Sequence, residues 1–270
     1  MSEKVLDITK DERMFLSGLK RRPGMYLGKT TLTGFVGFVH GYKDALMTTK
    51  LYSERVILPD GLNDYAAMKY LGHTKTSKGW FTLILENESD EKKAFDLFWE
   101  LLDEYLVSFG YEPIPDCDII REEWENWQRQ KYTKLERHQK NCNITSDERM
   151  LLSSLKRRPG MYLGTTTLTN FINWTFGYTT ALKMTGLYSE REILPDGIVD
   201  YIALKYLGNT EIPSNGWLSI ILEKEPDEKK AFFVFFELLD EFLVSLGYEP
   251  IPLFEDIKDE WEKHRNCKKS

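Results

Sequence analysis

The chain has 270 residues, of which 41% are hydrophobic and 29% charged, with a net charge of −7. Those values exclude a disordered polymer, and no apolar run approaches the roughly 18 residues of a membrane span. The negative balance disfavours nucleic acid as a partner and favours a basic protein surface, while solubility alone would also account for a charge of this size.

From the N-terminus, MSEKVLDITKDER places acidic residues where a secretory signal has an apolar core, so a cytoplasmic protein is expected. Asp11 to Lys20 offers Met14, Phe15 and Leu19 on one side of a first helix, ended by Arg22-Pro23 because a proline pushes its predecessor out of the α region. Gly24 and Gly28 punctuate a loop, with Gly24 as the residue needing an unusual backbone angle. Met25, Tyr26 and Leu27 are expected to supply core bulk. Thr31 or Thr33 caps a second helix carrying Phe35, Phe38, Val39, Tyr42 and Leu46. Pro59-Asp60 begins a third helix that stops at Gly72. Trp80 to Leu85 reads equally as strand or helix. Asp90 caps the longest helix, Glu91 to Phe109, and Tyr111 to Pro115 leaves it extended.

The same signals then recur. Arg13–Gly72 aligns with Arg149–Gly208 at an offset of 136 with 41 identities, and Gly79–Pro115 matches Gly216–Pro252 at 27 of 37 positions. This period is too long for a solenoid unit of roughly 20–50 residues. The expected fold is mainly α: two homologous small helical domains in tandem, each with its own core, over residues 1–118 and 143–270. A charged helical linker spans 119–142. Residues 1–141 carry a net charge of −2 and residues 142–270 a net charge of −5.

Chemistry-bearing patterns are scarce. Cys117, Cys142 and Cys267 form no CxxC pair and suit reduced thiols. His40 and His73 align with Phe176 and Asn209, so no histidine-based site is repeated. No GxSxG elbow, HExxH, P-loop or dinucleotide glycine pattern occurs. The neighbouring carboxylates Asp103-Glu104 and Asp240-Glu241 point about 100° apart on a helix and read as a solvated face or as salt-bridge partners. No catalytic residue, cofactor or metal is expected.

The decapeptide LKRRPGMYLG occurs twice, at Leu19–Gly28 and Leu155–Gly164. It resembles the R-P-x-M-Y-I-G segment of gyrase B-type ATPases. That family follows the segment with an E-x-x-D-N helix, and here TLTGFVGFVHGYKDAL and TLTNFINWTFGYTTAL lack it. Arg22, Pro23, Gly24, Tyr26 and Gly28, with Arg158, Pro159, Gly160, Tyr162 and Gly164, therefore read as a structural turn. The other reading is an anion site at Arg21, Arg22, Arg157 and Arg158.

Taken whole, each copy is similar to small bacterial immunity or accessory proteins that combine R-P-x-M-Y-x-G, an F-x-x-G-Y helix and a closing D-E-x-x-A-F-x-x-F-x-x-L-L-D-E-F-L helix. The resemblance implies a non-enzymatic inhibitor that covers a basic surface of a cognate toxin. The alternative is a self-associating scaffold or regulatory subunit of a defence complex. Partner contact is expected at Glu122, Trp124 and Trp127 and at Glu255, Asp256, Asp259, Glu260, Trp261 and Glu262, where tryptophans lie among carboxylates. Packing of those tryptophans on their own domain is the competing reading. The acidic loop Glu86, Glu88, Asp90 and Glu91, repeated as Glu223, Glu225, Asp227 and Glu228, reads either as helix-dipole compensation or as partner contact. Phe233, which replaces Asp96 and makes its helix apolar nearly all round, is expected to bury against the other copy, the linker or a second chain.

Overall fold

The computed structural model describes residues 8–132, 144–214 and 216–252. Among them lie thirteen helices and no strand, so the fold is mainly α. In the first half α1 (Lys10–Arg21) leads into α2 (Pro23–Leu27), α3 (Leu32–Thr48), α4 (Leu62–Leu71), α5 (Trp80–Asn87) and α6 (Glu91–Ser108). After α7 (Arg121–Tyr132) the order repeats as α8 (Ser146–Arg157), α9 (Pro159–Leu163), α10 (Leu168–Thr185), α11 (Ile198–Leu207), α12 (Trp217–Lys224) and α13 (Glu228–Ser245).

Capping side chains set the starts of the long helices. Thr31 Oγ1 accepts the Gly34 N–H at 3.1 Å, and Asp90 accepts from Lys92 and Lys93 at 3.0 and 2.9 Å. Thr33 instead donates its hydroxyl and its backbone N–H to Glu91, which sets a carboxylate at the positive end of α3. Trp80–Asn87 is helical. Its apolar residues Trp80, Leu83 and Ile84 all face the core, which a strand with alternating faces could not arrange.

The two halves do not form separate bodies with separate cores. Helices α3 and α10 pack along their length, and one continuous apolar core runs through both halves. The approach is close enough to exclude side chains: a Cβ on Gly41 would lie 1.9 Å from the Trp174 carbonyl oxygen, and one on Gly177 would lie 2.0 Å from that of Phe38. These two contacts are reciprocal, because positions 38 and 41 align with 174 and 177. Gly34 with Asn173 and Gly37 with Asn170 repeat the pattern. Contacts of i with j and of j with i are the mark of a two-fold, isologous interface. A pseudo-dyad therefore passes between α3 and α10.

The symmetry is broken by particular side chains. Phe176 enters the first half, with its ring 5.6 Å from Phe38, 6.2 Å from Tyr26 and 6.4 Å from Phe15. At the equivalent place His40 Nδ1 meets the Tyr162 carbonyl at 2.9 Å, so that nitrogen carries the proton, and burial holds the imidazole below its usual pKa. Trp174 Nε1 donates to Asp44 at 2.9 Å, where the aligned pair is Phe38 and Thr180.

Burial pushes the Asp44 carboxyl up to about 6, against the Trp174 hydrogen bond and Lys43, which act the other way. A carboxyl raised in the folded state keeps a proton that the unfolded chain has released, so its contribution to stability is lost as pH rises towards 6. Asp44→Asn should therefore gain on the wild type by about 1–2 kcal/mol between roughly pH 4 and 7, as read by urea denaturation across that range. A stability difference that does not change with pH would show that Asp44 titrates normally.

The segment 119–142 is not a free linker where it is described. Helix α7 docks on α1, with Trp124 Nε1 donating to the Met14 carbonyl at 3.0 Å and Trp127 Nε1 to Asp11 at 2.9 Å.

Candidate functional site

The repeated decapeptide is a helix-turn-helix corner. Arg22 breaks α1, Pro23 occupies the first position of α2, and Gly28 ends α2 at φ 69°. Gly28 and Gly164, not Gly24 and Gly160, are the glycines whose conformation side chains resist. Leu27 and Leu163 are buried and Tyr26 and Tyr162 half-buried. Met25 and Met161 are 68% and 70% exposed and supply no core bulk. In a short helix only one side meets the core, and the methionines sit on the other.

The cations of the first corner are already engaged. Lys20 Nζ lies 2.6 Å from Asp103, Arg21 Nε 2.6 Å from Asp118, and Arg22 Nη2 3.4 Å from Asp118, with its guanidinium 5.9 Å above Trp124. This occupancy answers the anion-site reading for Arg21 and Arg22. In the second half Lys156 repeats the pair with Asp240 at 2.7 Å. The residues that would face Arg157 and Arg158 by alignment, 253–255, lie outside the described residues.

At the start of α1 and of α8, a helix length from the corner, lies a buried polar cluster that sequence reasoning misses. Glu12, with no exposed surface, accepts from Tyr42 Oη at 2.6 Å, from Arg55 Nε at 2.8 Å and from Thr9. Glu148 does the same with Tyr178 at 2.7 Å, Arg191 at 2.8 Å and Thr145. Burial, and then the adjacent carboxylate, push both phenols above their usual range. All four residue types are identical at both aligned positions, and that is the signal the sequence offers. Every member has a partner, so the clusters bind α1 to α3 and α8 to α10 rather than awaiting a ligand.

Most other acids are also committed. Asp90 and Asp227 cap helices, Glu88 and Glu225 accept the N–H of those capping residues, and Glu91 and Glu228 hold Thr33 and Thr169. Capping and dipole compensation thus account for Asp90, Glu91, Asp227 and Glu228, while Glu86, in the last turn of α5, pairs with Lys78 at 2.7 Å. The pair Asp103-Glu104 serves Lys20 and Lys69, and Asp240-Glu241 serves Lys156 and Lys205, as salt-bridge partners.

The partner-binding assignments fare differently. Trp124 and Trp127 are buried against α1 and cannot anchor a partner from that position, because their apolar faces and indole N–H groups are already used. Glu122 is exposed and lines an open groove of about 590 Å³ between α1 and α7, with Lys10, Glu123 and Trp127. Glu255, Asp256, Asp259, Glu260, Trp261 and Glu262 lie outside the described residues. Phe233 is 40% exposed and stacks edge-on against only its neighbour Phe232 among the described rings. That exposure does not fit burial against the other half or α7. Phe233→Asp is expected to change monomer stability by no more than about 0.5 kcal/mol in urea denaturation. A loss above about 1 kcal/mol would mean that the ring is covered in solution.

Among the described residues, Asp116, Cys117 and Asp118 bring their ligand atoms within 4.8 Å of one another. The trio is poorly suited to a cation. Arg21, Arg22 and Arg121 all pair with Asp118, and burial raises the Cys117 thiol pKa and so disfavours the thiolate. No helix among the described residues is long and apolar enough to cross a membrane.

An exposed surface of definite character does recur. Where α6 ends, Phe109 is 55% exposed and stacks at 4.8 Å on Tyr105, which meets Tyr65 of α4 at 5.5 Å. Tyr111 follows, also exposed. Asp60, Asp64 and Tyr111 all lie near enough to help raise the Tyr105 phenol, after burial, and Glu104 stands one residue away. In the second half Leu246 (47% exposed) and Tyr248 take the same positions beside Phe242 and Tyr201, with Asp196, Asp200 and Glu241 at the aligned acidic positions. Each patch is thus apolar at its centre and acidic at its rim, with one lysine, Lys69 or Lys205, paired to the rim.

No family model, curated protein or solved structure matches this chain.

Proposed function

We propose that the chain is a non-enzymatic protein-binding module, an immunity-type inhibitor that covers a basic surface of a bacterial toxin in the cytoplasm. The observation that carries this reading is the acid-rimmed apolar patch present at aligned positions of both halves. Exposed Phe and Tyr side chains supply the contact area of an interface, and surrounding carboxylates favour a cationic partner and speed its encounter. The R-P-x-M-Y-x-G and F-x-x-G-Y motifs, read from the sequence as resembling those of immunity proteins, and the net charge of −7 support the same reading. No cofactor is invoked. On this reading the chain arose by duplication of a domain that once paired with itself across the α3 face.

The test is co-expression of the intact chain with the toxin-like product of an adjoining gene, scoring growth and recovery of a complex. Wild-type chain should restore growth, and Phe109→Asp combined with Leu246→Asp should lose that protection while retaining the helical content. Full protection by the double variant would sink the assignment to these patches. A self-associating scaffold is favoured by one observation only, the exposed Phe233 on the outer side of α13. Sedimentation of wild type and Phe233→Asp decides it: a concentration-dependent dimer lost in the variant supports the scaffold.

A further inference from the structure

We infer that the chain is bivalent: the pseudo-dyad presents the same docking surface twice, and each surface takes one basic segment carrying apolar side chains. The inference rests on the protein-binding reading and adds to it the number and chemistry of what is bound.

Repetition is the first argument. The reciprocal contacts between α3 and α10 relate the halves as two subunits of a dimer are related, so the two patches are equivalent surfaces of one body. Their central residues stay large and apolar in both halves although they are solvent-exposed: Phe109 aligns with Leu246 and Tyr111 with Tyr248. An exposed position on the same helix but about 20 Å from the patch has drifted from acid to aromatic, Asp96 to Phe233.

Charge chooses the occupant. Asp60, Asp64 and Glu104 rim the first patch, Glu241 accepts a hydrogen bond from Tyr201 at the second, and Asp196 and Asp200 occupy the positions aligned with Asp60 and Asp64. Lys69 and Lys205 each pair with one of these acids, and Arg13 and Arg149 hold the carbonyls next to Tyr111 and Tyr248, so three carboxylates stand against two cations in each half. A second copy of this chain seated patch to patch would oppose carboxylates to carboxylates. Nucleic acid and anionic lipid are repelled by the same sign. An amphipathic segment with lysine or arginine beside leucine-like side chains satisfies both the centre and the rim. Because one continuous core carries both sites, a partner that is itself a two-fold dimer would gain from simultaneous engagement without any new contact.

The experiment titrates the full chain with a short amphipathic peptide of leucine and lysine, with a leucine–glutamate peptide as control, by calorimetry. Two sites per chain are expected for the basic peptide, weakened roughly tenfold when salt is raised to about 0.5 M, and none for the acidic one. Phe109→Asp should remove one site, Leu246→Asp the other, and the pair both. Tyr111→Ser and Tyr248→Ser serve the same purpose if either aspartate variant fails to fold. A single site, or two sites indifferent to these substitutions, overturns bivalency and leaves the protein-binding reading standing. Equal binding of the acidic peptide, or no binding of either, overturns the chemistry of the occupant as well.

Discussion

Gly41→Ala is expected to destabilise the chain by about 3 kcal/mol, the upper end of overpacking penalties, and to lower the melting temperature by roughly 6–12 °C. The added methyl would meet the Trp174 carbonyl oxygen at 1.9 Å, and a backbone atom in the middle of a buried helix cannot swing aside as a side chain can. Gly177→Ala should behave alike, since its Cβ meets the Phe38 carbonyl at 2.0 Å. Gly24→Ala is the internal control. It lies in α2, where an added methyl meets nothing within 4 Å and φ is not positive, so it should be neutral or up to about 1 kcal/mol stabilising. Thermal and urea melts of the three variants check the whole set, and equal effects at positions 24 and 41 would contradict the described helix approach.

The other large effect concerns the buried carboxylates. Glu12→Ala should cost about 3–5 kcal/mol, because it strands Arg55, largely screened from water, and the fully buried Tyr42 hydroxyl without their common acceptor. Glu148→Ala should match it through Arg191 and Tyr178. Replacing the pair together, Glu12→Leu with Arg55→Met, should recover the part of that loss due to the unpaired guanidinium, while the Tyr42 hydroxyl still lacks its acceptor. A double-mutant cycle on urea midpoints measures the coupling. Independent, additive costs would show that the cluster does not act as a unit.

These residues also mark where sequence reasoning stops. Caps and terminators are legible because they act locally: Thr31, Asp90, Pro23 and the positions around Gly72 each sit within a turn of what they control. Glu12 is not legible. A carboxylate near a helix start looks like dipole compensation until Tyr42 and Arg55, 30 and 43 residues on, are brought to it. The packing of α3 on α10 is hidden for a different reason. Gly34, Gly37 and Gly41 carry no side chain, so the face that makes the closest contact leaves no apolar periodicity. Phe233 misleads in the opposite direction, since an aromatic residue on a helix already rich in phenylalanine mimics a second buried face. Trp124 and Trp127 are legible as important, while their direction is set by α1 and not by their own segment.

The broken symmetry of the α3–α10 contact has a practical corollary. Asn173 and Phe176 project from the second half into spaces that Gly34, Gly37 and the Phe15–Tyr26–Phe38 rings leave open in the first. One half is therefore a plug and the other its socket, and neither fits a duplicate of itself. Cut between them, the chain would become a split pair. Each fragment would carry a bare apolar helix face, and only the unlike combination would reassemble. Such a pair is a ready complementation reporter, with reassociation as its signal.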